Sequence, residues 1–222
     1  MDQLDEDGAL LCRRALSPAA CDALEVAIAA LPVDVPGVRI ANASGLRDLL
    51  GPTGAAGRCA AAILGNGARP VRAVLFDKSA ANNWSLGWHQ DRTIVVTARA
   101  DVPGYGPWTV KSGLVQVEPP FSLIEAMVTL RVHLDPVDAD NAPLRIVPGS
   151  HRLGRLTEDA IAGVVETFGT RDCLAARGDI WIYRTAVVHG SRAASIPRRR
   201  RVLQIDFSAD TLPPPLVWRG VV

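Results

Sequence analysis

The chain contains four histidines, His89, His133, His151 and His189. His89 lies in the run W-H-Q-D, so Asp91 follows two residues later. In an extended segment residues i and i+2 point to the same side, and the pair offers an imidazole and a carboxylate to one point in space. His133 and Asp135 repeat the arrangement in H-L-D. His189 ends a short apolar strand, Ala186-Val187-Val188. One H-x-D plus a distant histidine is the ligand set of a two-histidine, one-carboxylate facial triad, which leaves three positions open on non-haem Fe(II). H-x-D is a weak signal alone, and of two copies at least one is not a ligand pair. His151, in P-G-S-H-R, reads as turn-structuring, and Asp135-Pro136 gives His133 the setting of a strand-ending turn. His89 and His189 have more unusual neighbours: Trp84 and Trp88 precede the first, and Gly190-Ser191 and then Arg200, eleven residues on, follow the second.

The elements that must position these groups change in texture along the chain. Residues 1–66 read as helical. Ser17-Pro18 is an N-cap followed by a first-turn proline, and Leu24, Ile28 and Leu31 recur at helical spacing before Pro32. Ser44 opens a second candidate helix running to Leu50, and Ala55–Leu64 forms a third, ended by Gly65-Asn66-Gly67. From Pro70 onward come eight short β-rich runs: Val71–Phe76, Thr93–Thr97, Met127–Leu134, Leu144–Val147, Cys173–Ala175, Ile180–Tyr183, Val187–His189 and Arg200–Phe207. Helical interruptions are predicted at Phe121–Ala126 and Thr157–Phe168. Short strands punctuated by turn residues predict an antiparallel barrel or sandwich. The expectation is a mainly β, cupin-like jelly roll, the double-stranded β-helix, over residues 70–210, with the 1–66 helical layer packed on it as one domain spanning 1–222. Residues 98–112 hold Tyr105, Trp108 and Lys111 among prolines and glycines, and read as a long functional loop.

Composition sets outer limits. At 222 residues with 48% hydrophobic and 21% charged residues, the chain can build a core without disulfides. The net charge of +1 argues against nucleic acid as a partner. No run of about 18 apolar residues predicts a membrane span, and the acidic start MDQLDED does not resemble a secretory signal. The four cysteines are scattered without a CxxC pair and read as reduced thiols, so a cytoplasmic protein is expected.

Three segments, FDKSAANNWSLGWHQD (76–91), TLRVHLDPVDADNAPLRIVPGSHRLGRL (129–156) and GDIWIYRTAVVHGSRAASIPRRRRVLQIDF (178–207), give the chain its resemblance to a known family. It resembles the phytanoyl-CoA dioxygenase-like oxygenases, which use Fe(II), 2-oxoglutarate and O2. The resemblance implies that His89, Asp91 and His189 bind iron, and it leaves His133 and Asp135 on a core strand. It also implies that Arg200 pairs with the distal carboxylate of 2-oxoglutarate, helped by Ser191, with Thr129 on the same wall. A guanidinium suits that task because it is always charged and bidentate. Within the run Arg198–Arg201, strand alternation allows Arg198 and Arg200 inward, and Arg199 and Arg201 outward.

The implied reaction is oxidative decarboxylation of 2-oxoglutarate to succinate and CO2, coupled to hydroxylation of a small molecule. Two departures are visible. Asn141-Ala142-Pro143 replaces the family's usual N-G turn, and Arg131 occupies a strand position that is often Trp. Alternation points Arg72 and Arg131 into the barrel, where buried cations are costly unless they meet an anion. An anionic substrate held by Arg72 or Arg131, with Trp108, Tyr105 and Lys111 shaping its pocket, is one reading. Salt bridges to Asp77, Asp135 or Glu125 are the other. The competing functions are a same-fold iron enzyme that does not use 2-oxoglutarate, and a non-catalytic jelly-roll binding module. Oligomeric state is not legible.

Overall fold

The computed structural model describes residues 2–32, 35–41 and 44–221. Six α-helices occur among them: α1 (Asp2–Asp7), α2 (Pro18–Ile28), α3 (Arg47–Leu50), α4 (Ala55–Leu64), α5 (Phe121–Glu125) and α6 (Glu158–Phe168). The strands are β1 (Ala9–Cys12), β2 (Val38–Ile40), β3 (Arg69–Lys78), β4 (Leu86–His89), β5 (Ile94–Val96), β6 (Trp108–Lys111), β7 (Leu114–Val117), β8 (Val128–His133), β9 (Leu144–Ile146), β10 (Arg171–Cys173), β11 (Ile180–Arg184), β12 (His189–Ser191) and β13 (Arg200–Ser208). The fold is mainly β, a jelly roll built from antiparallel pairings.

Local chemistry explains the helix ends. The Ser17 hydroxyl accepts from the Ala20 N–H, and Pro18 opens α2 where its missing N–H costs nothing. Helix α4 stops at Gly65, which adopts φ +79°. The expected second helix is split: Ser44–Leu46 forms a 3-10 turn and α3 begins only at Arg47.

The large sheet runs β1-β11-β8-β13-β3-β2, facing a smaller sheet, β10-β9-β12-β4. A third sheet, β5-β7-β6, combines β5, within the predicted run Thr93–Thr97, with β6, inside the segment 98–112 that read as a long loop, and β7 just beyond it. Alternation sorts the side chains of the large sheet. Val128, Leu130, Val132, Leu203, Ile205 and Phe207 face outward and bury themselves against α2 and α4. Each such side chain contributes about 1.5–3 kcal/mol, so this apolar face fixes the register and forces the alternate residues inward.

Those inward residues form rows, because opposite positions in an antiparallel pair share a face. One row reads Tyr183, Thr129, Asp206, Arg72 across β11, β8, β13 and β3. The next reads Trp181, Arg131, Gln204, Val74 and ends at Arg39 on β2. A third holds His133, Val202 and Phe76, and at the end of the sheet Arg200 faces Lys78. The interior of the barrel is therefore polar by design of the sequence pattern. None of the four cysteines is in a disulfide: Cys21 and Cys173 are buried, and Cys12 and Cys59 half-buried.

Candidate metal centre and its cavity

His89 and His189 are direct partners in the β4–β12 pairing. Their imidazoles consequently project from the same face, with ring centroids 4.3 Å apart. Close approach of the two strands depends on Gly190, where an added Cβ would lie 2.9 Å from the Leu86 carbonyl oxygen. Each ring is oriented alike: His89 Nδ1 lies 2.8 Å from the Gly87 carbonyl and His189 Nδ1 lies 2.9 Å from the Val187 carbonyl. A carbonyl only accepts, so each Nδ1 carries the proton and each Nε2 keeps its lone pair. Just past β4, Asp91 brings its carboxylate to the same place, with Oδ2 3.9 Å from His189 Nε2.

These three residues, each offering one ligand atom, place those atoms within 4.8 Å of one another. Two observations show that the site fits a divalent cation. Asp91 Oδ2 is buried and, among the described residues, has only an ion-pair contact, Arg72 Nη2 at 3.2 Å, and no well-aligned hydrogen bond, which leaves it a lone pair for a cation. Burial opposes the charge of Asp91, but Arg72, His189 and His89 outweigh it and hold the carboxyl down at about 2. His189, pushed down to about 4 by burial and by His89, is neutral near pH 7 as a ligand must be. The donor set, two imidazoles and one carboxylate, is the facial triad of non-haem Fe(II).

The second H-x-D goes elsewhere. His133 is buried, neither ring nitrogen has a hydrogen-bond partner among the described residues, and burial and then Arg131 and Arg200 keep its pKa well below the ordinary value. Asp135 is held by Arg201, through its Oδ1 at 2.7 Å from Nη2 and its Oδ2 at 2.8 Å from Nε.

A cavity of about 690 Å³ opens from this centre, lined among others by Arg39, Arg72, Lys78, Lys111, Arg131 and Arg200. Arg200 is 2% exposed. Its Nη1 donates to the Ala142 carbonyl at 2.6 Å, while its Nε has no partner among the described residues. Burial and the neighbouring Arg131 push it down to about 9, which leaves it charged at neutral pH. Ser191 is close by, with Lys78 Nζ 3.4 Å from its hydroxyl. Alternation does not reach Arg198, because β13 begins only at Arg200. Arg198 is exposed and pairs with Asp138, Arg199 pairs with Asp77, and Arg201 turns to Asp135 and Glu25.

Several expected site residues have other work. Arg72 bridges two carboxylates, pairing through Nε with Asp206 and lying 3.2 Å through Nη2 from Asp91 Oδ2. It is thus engaged by protein acids rather than free for a substrate, and its partners are not those expected from sequence. Thr129 is likewise removed from 2-oxoglutarate's expected place: its hydroxyl donates to Asp206 Oδ1 at 3.0 Å and meets Thr185 at 3.0 Å. Asp206 is six positions from Arg200 along β13, roughly 20 Å at 3.3 Å per residue. Tyr105 and Trp108 pack into an apolar cluster with Ile94, Val96 and Val117, so they fix the third sheet and do not line the cavity. Lys111, at the end of β6, does line it. Arg131 faces the cavity at 6% exposure, with Nη1 donating to Gln204 Oε1 at 2.8 Å and its Nε unpartnered among the described residues.

Sequence reading missed Arg39, Lys78, Gln204 and Asp206. The signal was present. Lys78 continues the inward series Arg72, Val74, Phe76, and in Leu203-Gln204-Ile205-Asp206-Phe207 the polar residues occupy every second place. Burial and the Arg200 and Arg131 charges push Lys78 down to about 7.

A family model described as phytanoyl-CoA dioxygenase (PhyH) matches residues 4–202. No curated protein matches the chain. Solved structures resemble it throughout. AviO1 from Streptomyces viridochromogenes Tue57 is 22% identical with a TM-score of 0.68, covering 96% of this chain and 95% of that one. EctD from S. alaskensis, solved with 2-oxoglutarate and 5-hydroxyectoine, is 18% identical with a TM-score of 0.68 over 93% of this chain and 74% of its own. SnoN, a non-heme alpha ketoglutarate dependent epimerase from nogalamycin biosynthesis, is 16% identical with a TM-score of 0.66 over 93% of this chain and 80% of its own. At these identities the likenesses establish the shared fold.

Proposed function

The chain belongs to the phytanoyl-CoA dioxygenase (PhyH) family of Fe(II)- and 2-oxoglutarate-dependent oxygenases, and we propose that it hydroxylates a small organic molecule with release of succinate and CO2. The observation that carries this reading is the cross-strand pairing of His89 with His189, with Asp91 completing the donor set. When bound, iron supplies the coupling of O2 reduction and 2-oxoglutarate decarboxylation to oxidation of a C–H bond.

The chain's own residues supply geometry, charge and exclusion of water. His89 and His189 present Nε2, fixed by their Nδ1–H bonds to Gly87 and Val187. Asp91 offsets one positive charge and is steadied by Arg72, itself anchored on Asp206. Arg200, with Ser191 and Lys78 beside it, receives the distal carboxylate of 2-oxoglutarate, so that an otherwise incomplete hydrogen-bond set is filled. A carboxylate in the triad, in place of an open position for halide, favours hydroxylation over halogenation. The test is succinate formation from 2-oxoglutarate under air. It is expected to require added Fe(II) and to disappear in His189→Ala, and succinate formation surviving that substitution would refute the proposal.

A further inference from the structure

The charges lining the cavity do not balance. Asp91 is the one acidic residue among the described lining residues, and the lining cations are Arg39, Arg72, Lys78, Arg92, Lys111, Arg131 and Arg200. Arg72 is neutralised by Asp206 and Asp91, and Arg92 donates to the Leu156 carbonyl. The other five form no ion pair among the described residues, and four of them carry a full charge at neutral pH, Lys78, pushed down to about 7, carrying part of one. Iron(II) and the two carboxylates of 2-oxoglutarate cancel in formal charge, so the co-substrate does not remove the excess.

The five cations lie in two tiers. Lys78, Arg131 and Arg200 are each at most 6% exposed and sit inside the barrel, where Lys78 and Arg200 face one another near Ser191. Arg39 and Lys111 stand apart from them, on different elements. Arg39 projects inward from β2, the edge strand of the large sheet, opposite Val74. Lys111 ends β6 at the β6–β7 turn, and the next residue of that turn, Ser112, has its hydroxyl 3.5 Å from Arg39 Nη1. The sheet edge and the hairpin tip therefore meet over the cavity, each bringing one cation. Arg39 is partly desolvated and pairs with no acid among the described residues, and its charge is opposed by burial and by Arg72.

We infer that Arg39 and Lys111 form an anion-binding rim, and that the prime substrate carries a doubly charged group, a phosphate, a phosphonate or paired carboxylates, held there while its carbon skeleton reaches the metal centre. The inference rests on the oxygenase reading above and names the substrate class for that same site. A guanidinium and an ammonium approaching from two sides suit a tetrahedral or paired anion, the first by its planar fork and the second as a point charge. A single carboxylate would leave more of the inner excess uncompensated.

Isothermal titration of the protein loaded with Ni(II) and saturating 2-oxoglutarate tests this, with inorganic phosphate, acetate and glycerol as probes. Phosphate is expected to bind, acetate weakly and glycerol not at all. Lys111→Gln, which alters an exposed residue, is expected to weaken phosphate about tenfold, and Arg39→Gln with Lys111→Gln to abolish measurable binding. Succinate release stimulated by a panel of small phosphomonoesters, phosphonates and dicarboxylic acids then distinguishes the sources of the anion. Phosphate affinity unchanged in the double variant, or stimulation confined to neutral compounds, overturns the rim. Wild-type protein that fails to bind 2-oxoglutarate with Ni(II) present overturns the oxygenase reading instead.

Discussion

Asp206→Asn should weaken both the fold and the metal site, and the two effects can be worked from the same geometry. Asp206 is 1% exposed and accepts from Arg72 Nε and from the Thr129 hydroxyl. Two unit charges at about 4 Å in an effective dielectric of 20 interact by about 4 kcal/mol, and breaking a buried ion pair costs about 3–5 kcal/mol. Arg72 retains Asp91 at 3.2 Å, and asparagine still offers a carbonyl oxygen, so the loss belongs near 3 kcal/mol. For a chain of this size that is roughly a 6–12 °C fall in Tm. The second effect is electrostatic. With Asp206 neutral, the whole charge of Arg72 falls on Asp91 and competes with a cation for its carboxylate. Divalent-metal affinity should fall about tenfold, within the range for outer partners of metal ligands. Urea unfolding of the metal-free protein gives the first number, and titration with Ni(II) gives the second. A variant whose stability and metal affinity both match wild type would refute the network. Lost stability with unchanged metal affinity would reduce Arg72–Asp206 to a structural pair.

Arg200→Leu should raise the dissociation constant for 2-oxoglutarate by at least tenfold while changing metal affinity far less, since it removes the distal carboxylate's partner and no ligand; equal 2-oxoglutarate affinity, measured by titration of the Ni(II) protein, would dismiss the assignment. His133 provides a pH signature. Its folded pKa lies well below 6.5, so below pH 6.5 the unfolded chain takes up a proton that the folded protein does not. Stability is therefore lost as pH falls, by about 1.4 kcal/mol per unit from this residue. The slope is only half that at pH 6.5, where the unfolded histidine is half protonated, so His133→Leu should flatten the acid-side decline by about 1 kcal/mol in urea melts between pH 6.5 and 5.5, and an unaltered decline would mean that His133 is charged in the fold.

The strands that carry a buried face were the legible ones. Met127–Leu134 and Arg200–Phe207 read correctly because outward apolar residues alternate with inward polar ones, and the helical layer needs that apolar face. The strands that escaped notice, β1, β2, β4, β6 and β7, are three or four residues long with few buried side chains, and their pairing partners alone make them strands; β1 and β2 lie in the region 1–66 that read as helical. This bears on the site itself. His89 and Asp91 were visible as a motif, but that His89 lies opposite His189 is a fact of register between distant strands. The role of Arg72 was illegible for the same reason: its partner Asp206 is 134 residues away and meets it only across the β3–β13 ladder. Tyr105 and Trp108 look alike in sequence whether they line a cavity or pack a small sheet, and here they pack.

The central claim is that the first H-x-D and the distal histidine hold one iron, and the second H-x-D holds none. Anaerobic titration with Fe(II) measures this directly. Wild type and His133→Leu should each bind one equivalent at similar affinity, while Asp91→Ala and His189→Ala should lose that binding. A full equivalent retained by His189→Ala, or lost from His133→Leu, would contradict the account.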